Sequence, residues 1–332
     1  MAEQYSGREY TVTLGTQDQS GQAIGNATVD LIANHAFRVV TPVNDIAWDG
    51  GFQVSDVRRS GRRAMTAEDR IQHYGYGTWT WDFDYLVDNE ACAQVLLTAI
   101  GNGQASTTSM VFNEANLAAN QGYVHGATGS TDYTCGIIIN NPDADEDRLM
   151  HSAVLQNLTI SMDADIDSGR THMSGQFLSG YKPVIGTDST SPATTNVDWT
   201  NGLFELSTIE IGGHAVIAKS FSITLENPAS RIGHSDTAGQ TDGYVRGGDV
   251  NVSGSINIKM DATAVTFLDD WIANTNTLIT MESGSSHSYV VHAAKLSGHN
   301  VDLAPEGAFV EIPFVGTTGA NGASALCTIK MT

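Results

Sequence analysis

The sequence predicts a mainly β protein with short flanking helices, arranged as two tandem domains. Two observations predict it. Short runs alternate between apolar and polar residues and are separated by Gly, Ser, Asn and Asp. One pattern, a strand that runs straight into a short amphipathic helix, occurs twice at long separation, as a domain duplication does.

The clearer copy runs from Asp249 to Asn274. Val250, Val252, Gly254, Ile256, Ile258 and Met260 fall on one face of a strand, and Asn251, Ser253, Ser255, Asn257 and Lys259 on the other. Asp261 then stands as a helix N-cap, with Val265, Leu268, Trp271 and Ile272 at helical spacing. A strand of this kind covers a core and turns its polar face to water. The other copy runs from Thr78 to Gly101. Trp79, Trp81, Phe83 and Tyr85 share one face, and Thr78, Thr80, Asp82 and Asp84 the other. Asp88 takes the N-cap place, and Ala91, Val95, Leu96 and Ile100 form the helical stripe. Phe52 to Ser55 precedes the earlier copy as Phe221 to Leu225 precedes the later one. A hairpin follows each. One arm pair is Leu155 to Ile160 and Met173 to Phe177; the other is Ala294 to Gly298 and Phe309 to Phe314.

In chain order, residues 1–26 read as a polar N-terminal arm, with one possible strand from Tyr10 to Leu14. Residues 27–185 form the first domain. Within it, Ala27 to Val43 is a strand or a short helix, Ile46 to Arg58 a strand, and 103–147 an insertion with strand-like sequence at Ser109 to Phe112 and Thr134 to Asn140. Residues 186–200 read as a linker or loop, and 201–332 as the second domain.

At 332 residues, the chain has room for two cores. Asp and Glu number 37 against 16 Lys and Arg, a formal charge of −21. A basic footprint for nucleic acid is absent. Such charge suits solubility equally well as a surface that DNA passes without sticking. Arg58, Arg59, Arg62 and Arg63 make the basic cluster, read as a solvated loop that pairs with acids on a neighbouring subunit. Cys92, Cys135 and Cys327 are too scattered for a disulfide framework or a CxxC metal site. No secretory h-region and no membrane-spanning run is visible, so assembly in a cytoplasm without membrane insertion is expected.

Candidate chemistry is sparse. Asp163, Asp165 and Asp167 copy the opening of a calcium loop, but Ser168 and Ser174 stand where Gly and Glu are required, so an Asp-rich turn is the reading. HExxH, GxSxG and P-loop patterns are absent. Asp269 and Asp270 point about 100° apart on a helix. No catalytic residue, cofactor or metal site is predicted.

The run Lys219 to Asn227, then Arg231 to His234, then Gly247 to Met260 resembles the tail tube proteins of long-tailed, siphovirus-like bacteriophages and related archaeal viruses, in a duplicated-domain form. The strand Phe221 to Asn227, the Gly247-Gly248 loop end, the strand Val252 to Ile256 and the Val95 to Gly101 segment carry the likeness, which covers about 46–314. The resemblance implies β-sandwich or barrel domains whose sheets join into a ring-shaped lumen wall, with rings stacked into a conduit for genome delivery. It implies no enzyme activity, a virion tail location, and DNA passing through the lumen without specific binding. Partners would be the chain itself, a tape-measure protein, and tail terminator or baseplate proteins. Two domains per chain imply trimeric, pseudo-hexameric rings, with a hexamer as the alternative.

A lumen wall needs apolar outer and polar inner strand faces. Lumen-facing candidates are therefore Thr78, Thr80, Asp82 and Asp84 in the first domain, and Asn251, Ser253, Ser255 and Asn257 in the second. Thr159, Ser161, Ser222 and Thr224 are further candidates. The Arg58 to Arg63 cluster supplies inter-subunit candidates. One rival reading is another virion or surface β protein, such as a fibre, baseplate or receptor-binding part. The least favoured is a β-sandwich glycan-active enzyme.

Overall fold

A computed structural model describes residues 11–17, 31–39, 47–49, 53–56, 70–73, 78–83, 100–101, 109–112, 122–124, 134–140, 147–166, 169, 171–181, 184–185, 208–234, 241–283, 287–304, 307–322 and 324–331. In the first half lie β1 (Thr11–Gln17), β2 (Leu31–Val39), β3 (Ala47–Asp49), β4 (Gln53–Asp56), β5 (Arg70–His73), β6 (Thr78–Phe83), β7 (Ser109–Phe112), β8 (Gly122–Val124), β9 (Cys135–Asn140), β10 (Arg148–Asp163), β11 (Thr171–Ser179) and β12 (Val184–Ile185). In the second lie β13 (Thr208–Ile211), β14 (His214–Ala215), β15 (Ala218–Glu226), β16 (Ser230–His234), β17 (Thr241–Val245), β18 (Asn251–Lys259), β19 (Thr277–Ser283), β20 (His287–Leu296), β21 (Asn300–Ala304), β22 (Gly307–Gly316) and β23 (Cys327–Met331). The α-helix among the described residues is α1 (Ala262–Ala273). The protein is mainly β, as expected.

Most strands belong to one large antiparallel sheet. Its spine is a wall of eight strands in the order β3, β6, β11, β10, β15, β18, β22, β21. The order repeats. β3, β6, β11 and β10 in the first half are matched by β15, β18, β22 and β21 in the second. β10 and β15 close the gap between the halves, from Asn157↔Glu226 to Asp163↔Ser220.

Long strands carry the chain from this wall into a second layer. The end of β10 around Arg148–Met150 pairs with β9, whereas its 157–163 end pairs with β15. Register shifts at Met150/Ala153 and Leu155/Asn157 and the left-handed backbone of Ser152 (φ 54°) lie between the two. In the second half, β20 pairs with β19 from His287 to Ala294, with β23 from His287 to Val291, and with β22 at Ala294–Leu296. Buried apolar side chains of both halves form one core cluster, from Leu14 through Leu158 and Ile223 to Ile329.

Alternation dictates β18 as expected: Val252, Ile256 and Ile258 are buried, and Asn251 and Lys259 exposed. Met260 lies past the strand end and is exposed. Asp261 caps α1, its carboxylate accepting from Thr263 N at 2.8 Å and Ala264 N at 3.1 Å. Asn274, in the left-handed conformation, ends it. The helical stripe is corrected. Ala264 and Phe267 are the buried residues, while Val265, Trp271 and Ile272 are exposed. The helix is turned so that its smaller residue, Ala264, lies against the sheet, where the His299 ring nitrogen meets its carbonyl at 2.9 Å.

Three further expectations change. Ile46 to Arg58 is two strands, not one. β3 pairs with β6 and β4 with β5 in a separate sheet, and Gly50-Gly51 separates them in the sequence. In strand order β3 lies beside β6 as β15 lies beside β18, while the Phe52 to Ser55 segment contributes β4, outside the wall. Within the segment read as an arm, Thr11–Gln17 is a strand held between β2 and β9, buried at all positions but Thr11. The arm Ala294 to Gly298 is interrupted: β21, not β20, makes the hairpin with β22. The 103–147 stretch supplies β7, β8 and β9, which pair with β23, β17 and β1 respectively. The helix expected after Asp88, the Arg58 to Arg63 cluster, Asp84 and the 186–200 segment lie outside the described residues, apart from Ile100 and Gly101.

Candidate functional site

Along β10, β15 and β18 one face of the wall faces the core and the other is polar; on β22 the polar rows end against Phe309, Pro313 and Val315 around Glu311. On β10 the sequence Leu158, Ile160, Met162 is buried, and Asn157, Thr159, Ser161 and Asp163 stand half-exposed on the opposite face. The ladder then aligns these residues across strands. Ser161 opposes Ser222, and Ser222 opposes Ser255. Thr159 opposes Thr224, and Thr224 opposes Ser253. Glu226 opposes both Asn157 and Asn251. Ser220 opposes Asp163 on one side and Asn257 on the other.

Thr159, Ser161, Ser222, Thr224, Asn251, Ser253, Ser255 and Asn257 therefore share one face of one sheet. The alternation that puts them there is local. Each is the immediate sequence neighbour of a core side chain: Ile160, Ile223, Val252 or Ile256. Across the seam the Thr159 and Thr224 hydroxyls bond at 2.9 Å. A shallow depression of about 400 Å³ opens beside them, lined by Ser161, Asp163, His172, Ser220, Ser222 and Ser255 among others.

In the first half the register extends the rows. Thr159 opposes Ser174, which opposes Asp82, and Asn157 opposes Gln176, which opposes Thr80. Thr78 opposes Leu178, a buried residue of a second core cluster. The row thus ends there in an apolar neighbour. The sequence analysis missed Ser174 and Gln176. The signal was present in the alternation of His172, Ser174 and Gln176 with Met173, Gly175 and Phe177.

The chemistry of this face is that of small hydroxyls and amides, with acids at its borders. Asp163 lies at one end of the rows and Glu226 at the other. Lys219 reaches Asp165 at 3.2 Å, beyond the Asp163 end. Among the described residues, no group of three His, Cys, Asp or Glu side chains is placed to hold a metal. No helix there is long and apolar enough to cross a membrane.

Sequence reasoning also missed a buried network that fixes the opposite end of the wall. The Arg246 guanidinium donates to the Asn227 carbonyl and to the Leu155 carbonyl, the latter at 2.9 Å. Asn227 Nδ2 donates to the Ile100 carbonyl at 2.7 Å. Tyr244 accepts from the Gly180 amide at 2.8 Å and donates to the Ser152 carbonyl. Burial pushes the Tyr244 phenol far above its ordinary pKa, so it stays protonated and can donate. These bonds clamp the hairpin β16–β17 onto β10 and satisfy main-chain groups that the bends of β10 leave without ladder partners.

A wide antiparallel wall, apolar towards its core and small-polar on its other face, defines a structural β protein that presents a surface. The chain matches the phage tail tube protein family over residues 49–324 and belongs to it. It is a structural protein of the virion tail, one that self-assembles into the rings of a tail tube. A solved structure described as "Virion of native gene transfer agent (GTA) particle" is similar to it at 13% identity, over 41% of this chain and 92% of that one, with a TM-score of 0.24. Comparison with curated proteins gives no match.

Proposed function

We propose that three chains close into a pseudo-sixfold ring, and that the polar face of the wall lines its lumen as a conduit for the viral genome. One observation carries this: the β10–β15 seam joins two units of identical strand order inside one chain. β21 is the counterpart of β10 in the second unit, and β3 the counterpart of β15 in the first. The same seam, made between β21 of one chain and β3 of the next, would continue the wall and leave no free edge. The two units are then duplicated domains, about 27–185 and 201–332.

Hydroxyls and amides in the lumen, framed by acids and set in a chain of charge −21, offer a phosphate backbone hydration without a cationic foothold. Thr78, Thr80, Asp82 and Asp84 would extend that lining, and Arg58, Arg59, Arg62 and Arg63 would contact neighbouring subunits. The tube has no enzymatic role. It would house a tape-measure protein before ejection, and end on terminator and baseplate proteins. Negative-stain electron microscopy with mass photometry tests the assembly. Rings with a central hole and the mass of three chains support it. Rings of six chains would retain the tube and remove the duplication argument. A persistent monomer would favour the fibre or receptor-binding reading.

A further inference from the structure

The two rims of the wall differ in chemistry. At one rim β10, β15, β18 and β22 reach their turns, and main-chain bonds hold those turns side by side. Ala164 N donates to Lys219 O at 2.8 Å, Lys259 N to Ile217 O at 2.9 Å, and Met260 N to Ala308 O at 2.9 Å. Leu303 opposes Ala308 in the β21–β22 ladder. Along this line Ile166, Ile217, Met260 and Leu303 are 56, 65, 39 and 78% exposed. Single exposed apolar residues are ordinary, but four at the turns of one rim, spread over both halves and set among the Lys219–Asp165 pair and Asp261, are not.

At the other rim β15 and β18 carry Glu226 and Asn251, both exposed, and β22 carries Val315, 46% exposed. There the chain leaves β15 to form the β16–β17 hairpin and returns into β18. Ile232 and Val245 of that hairpin are 37 and 39% exposed, on the side away from the buried Tyr244. The wall thus carries exposed apolar residues at the turns of one end, and the β16–β17 hairpin with apolar residues of its own at the other.

We propose that the Ile166–Ile217–Met260–Leu303 row is the axial docking face of the ring, and that its occupant is the β16–β17 end of a second copy stacked head to tail. The inference rests on the ring reading above. A tube-forming ring can grow only through its rims, so each rim is covered by another ring along the tube. Contact between two like rims would set Asp163, Asp165, Asp261 and Asp302 against their own copies. It would also leave Ile232 and Val245 bare. A head-to-tail contact covers both apolar sets and repeats without closing. Because each chain carries a formal charge of −21, ring meets ring against like charge, and added salt should lengthen tubes by screening repulsion and strengthening apolar contact.

The test uses the full chain with Ile166→Glu and Ile217→Glu together. Both residues are exposed, and neither lies on the β21 or β3 edge. The control is Ile272→Glu on the outer side of α1. The expected result is single rings of wild-type diameter, with mean tube length reduced about tenfold or more, and an unchanged control. Tubes of wild-type length in the double variant would overturn the proposal. So would loss of the rings themselves, or an equal loss of stacking in Ile272→Glu. A wild-type protein that forms no rings would remove the ring reading first, and the stacking face with it.

Discussion

Thr159 and Thr224 face each other across the β10–β15 seam, their hydroxyls 2.9 Å apart. Behind them Leu158 opposes Leu225 in the same ladder, and both are buried. The seam is therefore wet on one side and dry on the other. Its strength should lie on the dry side, because a half-exposed hydroxyl exchanges its partner for water at small cost. Changing Thr159 and Thr224 together to Val should shift unfolding free energy by about 1 kcal/mol or less. Leu158→Ala should cost about 2–5 kcal/mol. Urea unfolding followed by tryptophan fluorescence separates the two, and the reverse order would contradict this account.

A glycine opposes an aromatic residue in the ladder of each half, with the strands exchanged. Gly175 on β11 opposes Trp81 on β6, and Gly254 on β18 opposes Phe314 on β22. A Cβ on Gly254 would meet the Ser222 carbonyl oxygen at 2.1 Å and the Phe314 ring at 2.6 Å. Neither can give way without moving the ladder. Gly254→Ala should lower stability by about 1–3 kcal/mol or yield insoluble protein. Gly247→Ala, where a Cβ meets nothing within 4 Å, should stay within about 0.5 kcal/mol of wild type. Equal thermal midpoints for the two variants would refute the close approach.

Tyr244→Phe removes the phenol oxygen that bridges Ser152 O and Gly180 N. The cavity stays filled, but two buried main-chain groups lose their partner, a cost of about 1–3 kcal/mol for each group left unsatisfied. We expect a lowered urea midpoint with an unchanged slope. Amide exchange at Gly180 should quicken more than exchange in β18. A uniform change across the protein would point to global loosening instead.

His292 lies in β20 with a ring nitrogen 2.7 Å from the Thr328 hydroxyl. Partial burial holds its pKa below the ordinary 6.5. The unfolded chain then binds this proton more readily than the folded one. The contribution of this group to stability is complete above pH 6.5 and is lost as pH falls from 6.5 through the folded value. A proton-resolved histidine titration should place the His292 midpoint below 6.5; a midpoint above it would show that the ring is stabilised as a cation.

What was legible in the sequence was what side-chain period encodes. Two-residue alternation gave β18 and its faces, and set Ser253 and Ser255 apart from Val252 and Ile256 before any partner strand was known. Asp261 marked the start of α1, because an N-cap needs only its own next turn. The rule failed where neighbours decide. The rotation of α1, which buries Phe267 and exposes Ile272, depends on the sheet beneath it, and apolar residues at several spacings allowed either stripe. Period also says nothing of which strands pair. That β10 meets β15, β23 meets β7 and β17 meets β8 was settled only in the tertiary structure, because ladder bonds are made by main chain common to every residue. Choice among partners falls to the shared core and to bends such as that at Ser152. The sequence by itself determined a polar face and an apolar face for strands such as β10, β15 and β18; the tertiary structure decided that those faces align into one wall, because register is fixed only when distant strands bury their apolar sides together.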